Sequence, residues 1–69
     1  PPIETMQMLL SRCSNQHPKR YLSALYAFRF SEELGMTKEA LFYAKRYLAN
    51  APHYSQAKLE AKNFIAKYE

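Results

Sequence analysis

The side chains that could do chemistry in this 69-residue chain are few and scattered. Cys13 and His17 stand four apart, a spacing that can bring a thiol and an imidazole to one face of a helix, as a metal-ligand pair or a nucleophile and its base. Zinc sites ordinarily draw on about four ligands, and the other histidine of the chain, His53, is far away in sequence. A structural cysteine and a surface histidine are therefore the expected reading, with no metal and no cofactor. A nucleophile pair would also need an orienting group and an oxyanion donor, and neither is evident. Glu32 and Glu33 are adjacent, so on a helix they do not face each other as an acid and a base must. With one glycine in the chain there is no phosphate-cradling loop and no dinucleotide fingerprint. This stretch is not expected to be an enzyme.

Groups suited to recognition are more plentiful. Lys58 and Lys62 sit one helical turn apart, with Lys45, Arg46 and six tyrosines elsewhere. Basic residues interleaved with aromatics can hold single-stranded nucleic acid by phosphate neutralisation and stacking. The net charge is only +4 and is not concentrated in a run, so a solvated lysine face is favoured over nucleic acid. The same mild bias would assist contact with an acidic partner. A lone Cys13 excludes an internal disulfide and fits a reducing compartment, which points to the cytoplasm. The chain opens on Pro1 rather than Met and has no apolar run long enough to cross a membrane. It is expected to be a piece of a longer protein, with any targeting signal, anchor or catalytic domain outside it.

The elements that must position these groups read as helices. Ala, Leu, Lys and Glu are abundant, with only two Ile, two Thr and no Val. Ile3, Met6, Leu9, Leu10 and Cys13 recur at steps of three and four, which predicts a first helix with that stripe as its inner face, ended before Pro18. A second helix is expected from Lys19 or Arg20 to about Leu34, with an apolar arc wide enough to touch partners on two sides. Gly35 is suited to a left-handed C-terminal cap, and Thr37 to the N-cap of a third helix carrying Ala40, Leu41, Ala44, Tyr47 and Leu48. That helix should stop at Asn50, Ala51 and Pro52. A fourth begins between His53 and Ser55 and carries Tyr54, Ala57, Ala61, Phe64, Ile65 and Tyr68. No strand is predicted.

A period of thirty-four residues runs through this pattern. It lays Pro18 over Pro52, Leu25 over Leu59, Ala27 over Ala61 and Phe30 over Phe64. It also lays Met6 over Ala40, Leu9 over Tyr43, Leu10 over Ala44 and Cys13 over Tyr47. With Gly35 at the turn, Ala40, Leu41 and Leu48 after it, and Pro52 twelve residues beyond Ala40, the chain resembles a tetratricopeptide repeat. Residues 19–52 match one full repeat, 3–16 the second helix of a preceding one, and 53–69 the first helix of a following repeat or a capping helix. Ala24, Phe28, Ala44 and Tyr47 depart from the family's preferences as large-for-small and small-for-large exchanges, the kind that conserves volume. The fold this implies is all-α: four helices in antiparallel pairs, stacked as a fragment of a right-handed superhelix whose concave side is lined by the first helix of each repeat.

In that register the concave strip is Leu22, Tyr26, Arg29 and Glu33 from the second helix and Gln56, Glu60, Asn63 and Lys67 from the fourth. The resemblance implies a protein-protein interaction module holding a peptide or helix there, with Tyr26 stacking, Arg29 pairing with a carboxylate and Asn63 bonding a peptide backbone. Some family members clamp a C-terminal carboxylate, but Leu25 and Glu60 stand where two of their basic residues would be, so no clamp is expected. Two other roles remain open. One is a structural or self-associating end of an array, through Phe42, Tyr43 and Tyr54; here Ala40 to Lys67 is also similar to the last repeat of mitochondrial-fission adaptors. The other is a substrate-peptide domain of a larger enzyme, as in the tyrosine-rich repeats of prolyl 4-hydroxylase.

Overall fold

A computed structural model describes residues 2–69. The chain is all-α: α1 spans Ile3–Gln16, α2 Tyr21–Glu33, α3 Thr37–Asn50 and α4 Gln56–Tyr68, with no strand among the described residues. Each helix packs chiefly on its neighbour in sequence, α1 on α2, α2 on α3 and α3 on α4, as in a fragment of a helical repeat. The side-chain pairings set the directions. Gln7 near the start of α1 meets Ser31 near the end of α2, while Cys13 meets Ser23. Tyr21 at the start of α2 lies 6.4 Å from Tyr47 near the end of α3, centroid to centroid. α1 and α2 are therefore antiparallel, as are α2 and α3.

Backbone chemistry explains the sharp turn between α2 and α3. Gly35 has φ +74°, and Leu34 caps α2. The amide of Met36 donates to the Ser31 carbonyl at 2.8 Å and that of Gly35 to Glu32 at 3.0 Å. Both bonds together are the Schellman arrangement, which satisfies two carbonyls at the helix end. Met36 then serves at once as the N-cap of α3, accepting from the Ala40 amide at 2.9 Å. Thr37 was the expected cap, but the turn closes one residue earlier, so Thr37 is the first residue inside the helix and makes no capping bond. At α4 the cap is a side chain: Ser55 Oγ accepts from the Lys58 amide at 3.3 Å.

The core is built around α2. Ala24, Ala27, Ala40, Ala44 and Ala61 are fully buried, and such small residues let helix backbones approach closely. Phe28 is the largest side chain with no exposure at all, and it sets its ring edge-on to Phe64 of α4 at 5.2 Å. Ala24, Phe28, Ala44 and Tyr47 all lie inside this core.

The inner face of α1 differs from the expected stripe. Gln7 and Ser14 are its buried residues, Leu10 packs on the core, and Leu9 is 48% exposed. The seam between α1 and the rest is polar because its partners are polar. Gln7 Nε2 donates to Ser31 Oγ at 3.1 Å and to Ser11 Oγ at 2.9 Å, and Cys13 Sγ lies 3.2 Å from Ser23 Oγ. Arg46 of α3 reaches across to Ser14 Oγ at 2.9 Å and Asn15 Oδ1 at 3.0 Å, with its guanidinium 4.6 Å over the Phe42 ring. Among the described residues no buried side-chain nitrogen or oxygen lacks a partner.

Replacing Gly35 by Ala tests the turn. No atom lies within 4 Å of the added Cβ, so the cost is the left-handed backbone alone, about 1–2 kcal/mol. Urea unfolding should show a lower midpoint with an unchanged m-value, and Gly35→Asn should lose less, because Asn tolerates that conformation better.

Candidate functional site

The expected strip falls along one side of α2 and one side of α4. Leu22, Tyr26, Arg29 and Glu33 follow steps of four, three and four along α2, and Gln56, Glu60, Asn63 and Lys67 repeat those steps along α4. None of the eight is buried. The Phe28–Phe64 contact and the Arg29–Glu60 pair link the two helices. Leu22, at 55% exposed, and Tyr26, at 43%, give the α2 side its apolar character.

Two of the expected partner-binding residues are engaged with each other. Arg29 donates from Nη2 to Glu60 Oε1 at 3.0 Å and from Nε to Oε2 at 3.3 Å, a two-pronged bond. The Glu60 hydrogen bond, partly opposed by burial, raises the Arg29 pKa above its ordinary value. The guanidinium also lies 5.8 Å from the centre of the Tyr26 ring. A carboxylate from a partner must compete with Glu60 for this group, so Arg29 is less available than the sequence alone implied. Both side chains are 40% exposed, which keeps the pair within reach of solvent screening.

Beside this pair lies an open groove of about 500 Å³. Gln56, Glu60, Asn63 and Lys67 line it, as do Glu32, Leu59, Phe64 and Tyr68. The α2 members of the expected strip do not. Of the residues missed, Phe64 and Tyr68 continue the i, i+4 line of Glu60, and Leu59 lies one turn before Asn63; no such spacing points to Glu32. Phe64 and Tyr68 rings stack at 4.7 Å with a tilt of 39°, and the Lys67 ammonium sits 5.2 Å over Tyr68. The groove is thus lined by two aromatic rings, two amides, one leucine and charges of both signs.

The other candidates separate. Cys13 is partly exposed and meets Ser23, while His17 has left the helix as the C-cap of α1. Among the described residues no group of three or more His, Cys, Asp and Glu is placed to hold a metal ion. Phe42 and Tyr54 are exposed, but Tyr43, expected on the same self-association surface, is only 5% exposed. Its hydroxyl donates to Asn15 Oδ1 at 3.2 Å, because the face of α3 that meets α1 is wider than the stripe implied. Among the described residues no helix is long and apolar enough to cross a membrane. Comparison with protein-family models, curated proteins and solved structures returns no match.

A double-mutant cycle on Arg29→Ala and Glu60→Ala should give a coupling of no more than about 1 kcal/mol in chemical unfolding, shrinking further in high salt, as expected for a half-exposed pair. A salt-independent coupling well above that would mean the pair is desolvated and structural.

Proposed function

We propose that this chain is a protein-protein interaction module of the tetratricopeptide type, taking an extended or helical peptide along the α2–α4 face. The observation that carries the reading is the face itself. Two neighbouring helices present exposed apolar side chains, Leu22, Tyr26 and Leu59, around the amides of Gln56 and Asn63. Amides in that setting can bond a peptide backbone from the side, and the aromatic and aliphatic groups can fill the spaces between its side chains. With Arg29 turned to Glu60, recognition rests on Tyr26, Asn63 and Lys67 rather than on a carboxylate at Arg29.

The thirty-four-residue period supports the family reading. Helices α1 and α3 are each fourteen residues long and begin thirty-four residues apart; α2 and α4 are each thirteen, thirty-five apart. Of the two roles for residues 53–69, the capping helix is favoured. Ala24 and Phe28, buried in the α2 core, become Lys58 and Lys62 when moved on by thirty-four, so the corresponding side of α4 is dressed for water. A charged outer face is what a terminal helix of such an array requires. The lone Cys13 is compatible with a reducing compartment such as the cytoplasm.

Peptides selected from a random display library against the chain provide the test, read by fluorescence polarisation on a synthesised, labelled winner. Tyr26→Ala and Asn63→Ala should each weaken binding by about tenfold or more, the range of a groove anchor. If no peptide is recovered, or if selected peptides bind both variants as tightly as the parent, the proposed groove is not a binding surface.

A further inference from the structure

Helix α2 carries its end charges against its own dipole. A helix favours anions at its N-terminus and cations at its C-terminus. α1 and α3 follow that rule with Glu4 and Glu39 in their first turns, and α4 follows it with Lys67 in its last. α2 has no acidic residue in its first turn and no basic one in its last. Instead Lys19 and Arg20 precede it, Arg20 as its N-cap, and Glu32 and Glu33 end it. All four side chains are exposed, and none enters an ion pair among the described residues. The sequence extends the asymmetry: no acidic residue stands between Glu4 and Glu32, or between Glu39 and Glu60. Four charges that oppose their own helix do not serve its stability.

These charges bracket the surface already described. Leu22 shares a shallow hollow with Lys19, Arg20 and Tyr21, and Glu32 lines the groove beside α4. Between the two ends the charges cancel, since Arg29 is bonded to Glu60. Lys67 in the same groove offsets one of the two terminal carboxylates, which leaves the Glu32–Glu33 end with acid in excess. We propose that the bound peptide is bipolar, with acidic residues over Lys19 and Arg20 and basic residues over Glu32 and Glu33; this rests on the peptide-binding reading above and names the chemistry of its partner. From Arg20 to Glu33 is roughly 20 Å at the rise of an α-helix, which an extended peptide covers in about six residues. The peptide then supplies the charges that α2 lacks, an anion at its N-terminus and a cation at its C-terminus. A peptide laid the other way would meet like charge at both ends, so the charges also fix its direction.

Peptides selected from the random display library are the probes, read by fluorescence polarisation on the parent and on two charge-reversed chains. One carries Lys19→Glu with Arg20→Glu, the other Glu32→Lys with Glu33→Lys. Selected sequences should hold acidic and basic residues about six positions apart. Each reversed chain should bind them at least about tenfold more weakly than the parent. Each should also unfold at a higher urea concentration at low salt, because both reversals bring α2 into line with its dipole; weaker binding then cannot come from a lost fold. A selected peptide with its acidic residues changed to lysine should prefer the first reversed chain to the parent. Peptides that lose affinity for Asn63→Ala yet bind both reversed chains as tightly as the parent overturn this inference and leave the groove reading standing. A lower urea midpoint in both variants also overturns it, since the charges would then serve the fold. A library that yields no peptide overturns the groove reading, and this inference with it.

Discussion

Everything in this small domain depends on α2 being buried from more than one side. A helix of thirteen residues flanked by single neighbours would leave most of its apolar arc in water. Here α1 and α3 both pack against it, and α4 reaches it through Phe28 and Phe64. The close approach is made possible by alanines, which occupy Ala24 and Ala27 on α2 and Ala40 and Ala44 on α3 without exposure. Phe28 then fills the space that such small residues leave. Removing that ring would cost about 3–5 kcal/mol by transfer and cavity terms together, a large share of what a domain of this size can supply.

The second organising feature is polar. The α1 seam carries Gln7, Ser14 and Ser31, all buried and all bonded, and Arg46 ties the last turn of α1 to α3. Such bonds contribute modestly to net stability, yet they are costly to leave unmade. Their effect is to fix register. Sliding α1 by one turn would separate Gln7 from Ser31 and Arg46 from Ser14 together, leaving buried donors and acceptors with no water. A purely apolar seam would tolerate that slip better.

Much of this was legible in the sequence, and the failures have physical causes. The four helices followed from apolar spacing, and the α2–α3 turn from Gly35, whose positive φ few other residues accept. The four strip residues of α2 lie along one side of that helix, and the four of α4 along one side of theirs, because steps of three and four are a property of the helix whatever packs behind it. Side-chain partners were not legible. The apolar stripe leaves out Gln7 and Ser14, whose burial depends on the matching Ser31 and Arg46 across the seam. Leu9 shares the spacing of the stripe but is 48% exposed, because the side of α1 that packs on α2 is centred on Gln7, Leu10 and Ser14 instead. Tyr43 was read as exposed because its hydroxyl partner, Asn15, lies on another helix. Likewise Arg29 and Glu60 are thirty-one residues apart, and nothing local announces that they meet.

The α2–α4 face inherits its shape from the same packing. Without Phe64 seated on Phe28, the half-exposed Arg29–Glu60 pair would be left to hold α4 against α2. The most direct test of that arrangement is a solution NOESY spectrum of the chain with its aromatic resonances assigned. Strong cross-peaks between the ring protons of Phe28 and Phe64, whose centroids lie 5.2 Å apart, are the expected result. A folded α2–α3 pair showing no such cross-peaks, with the amides of α4 exchanging as fast as an unstructured peptide, would contradict it.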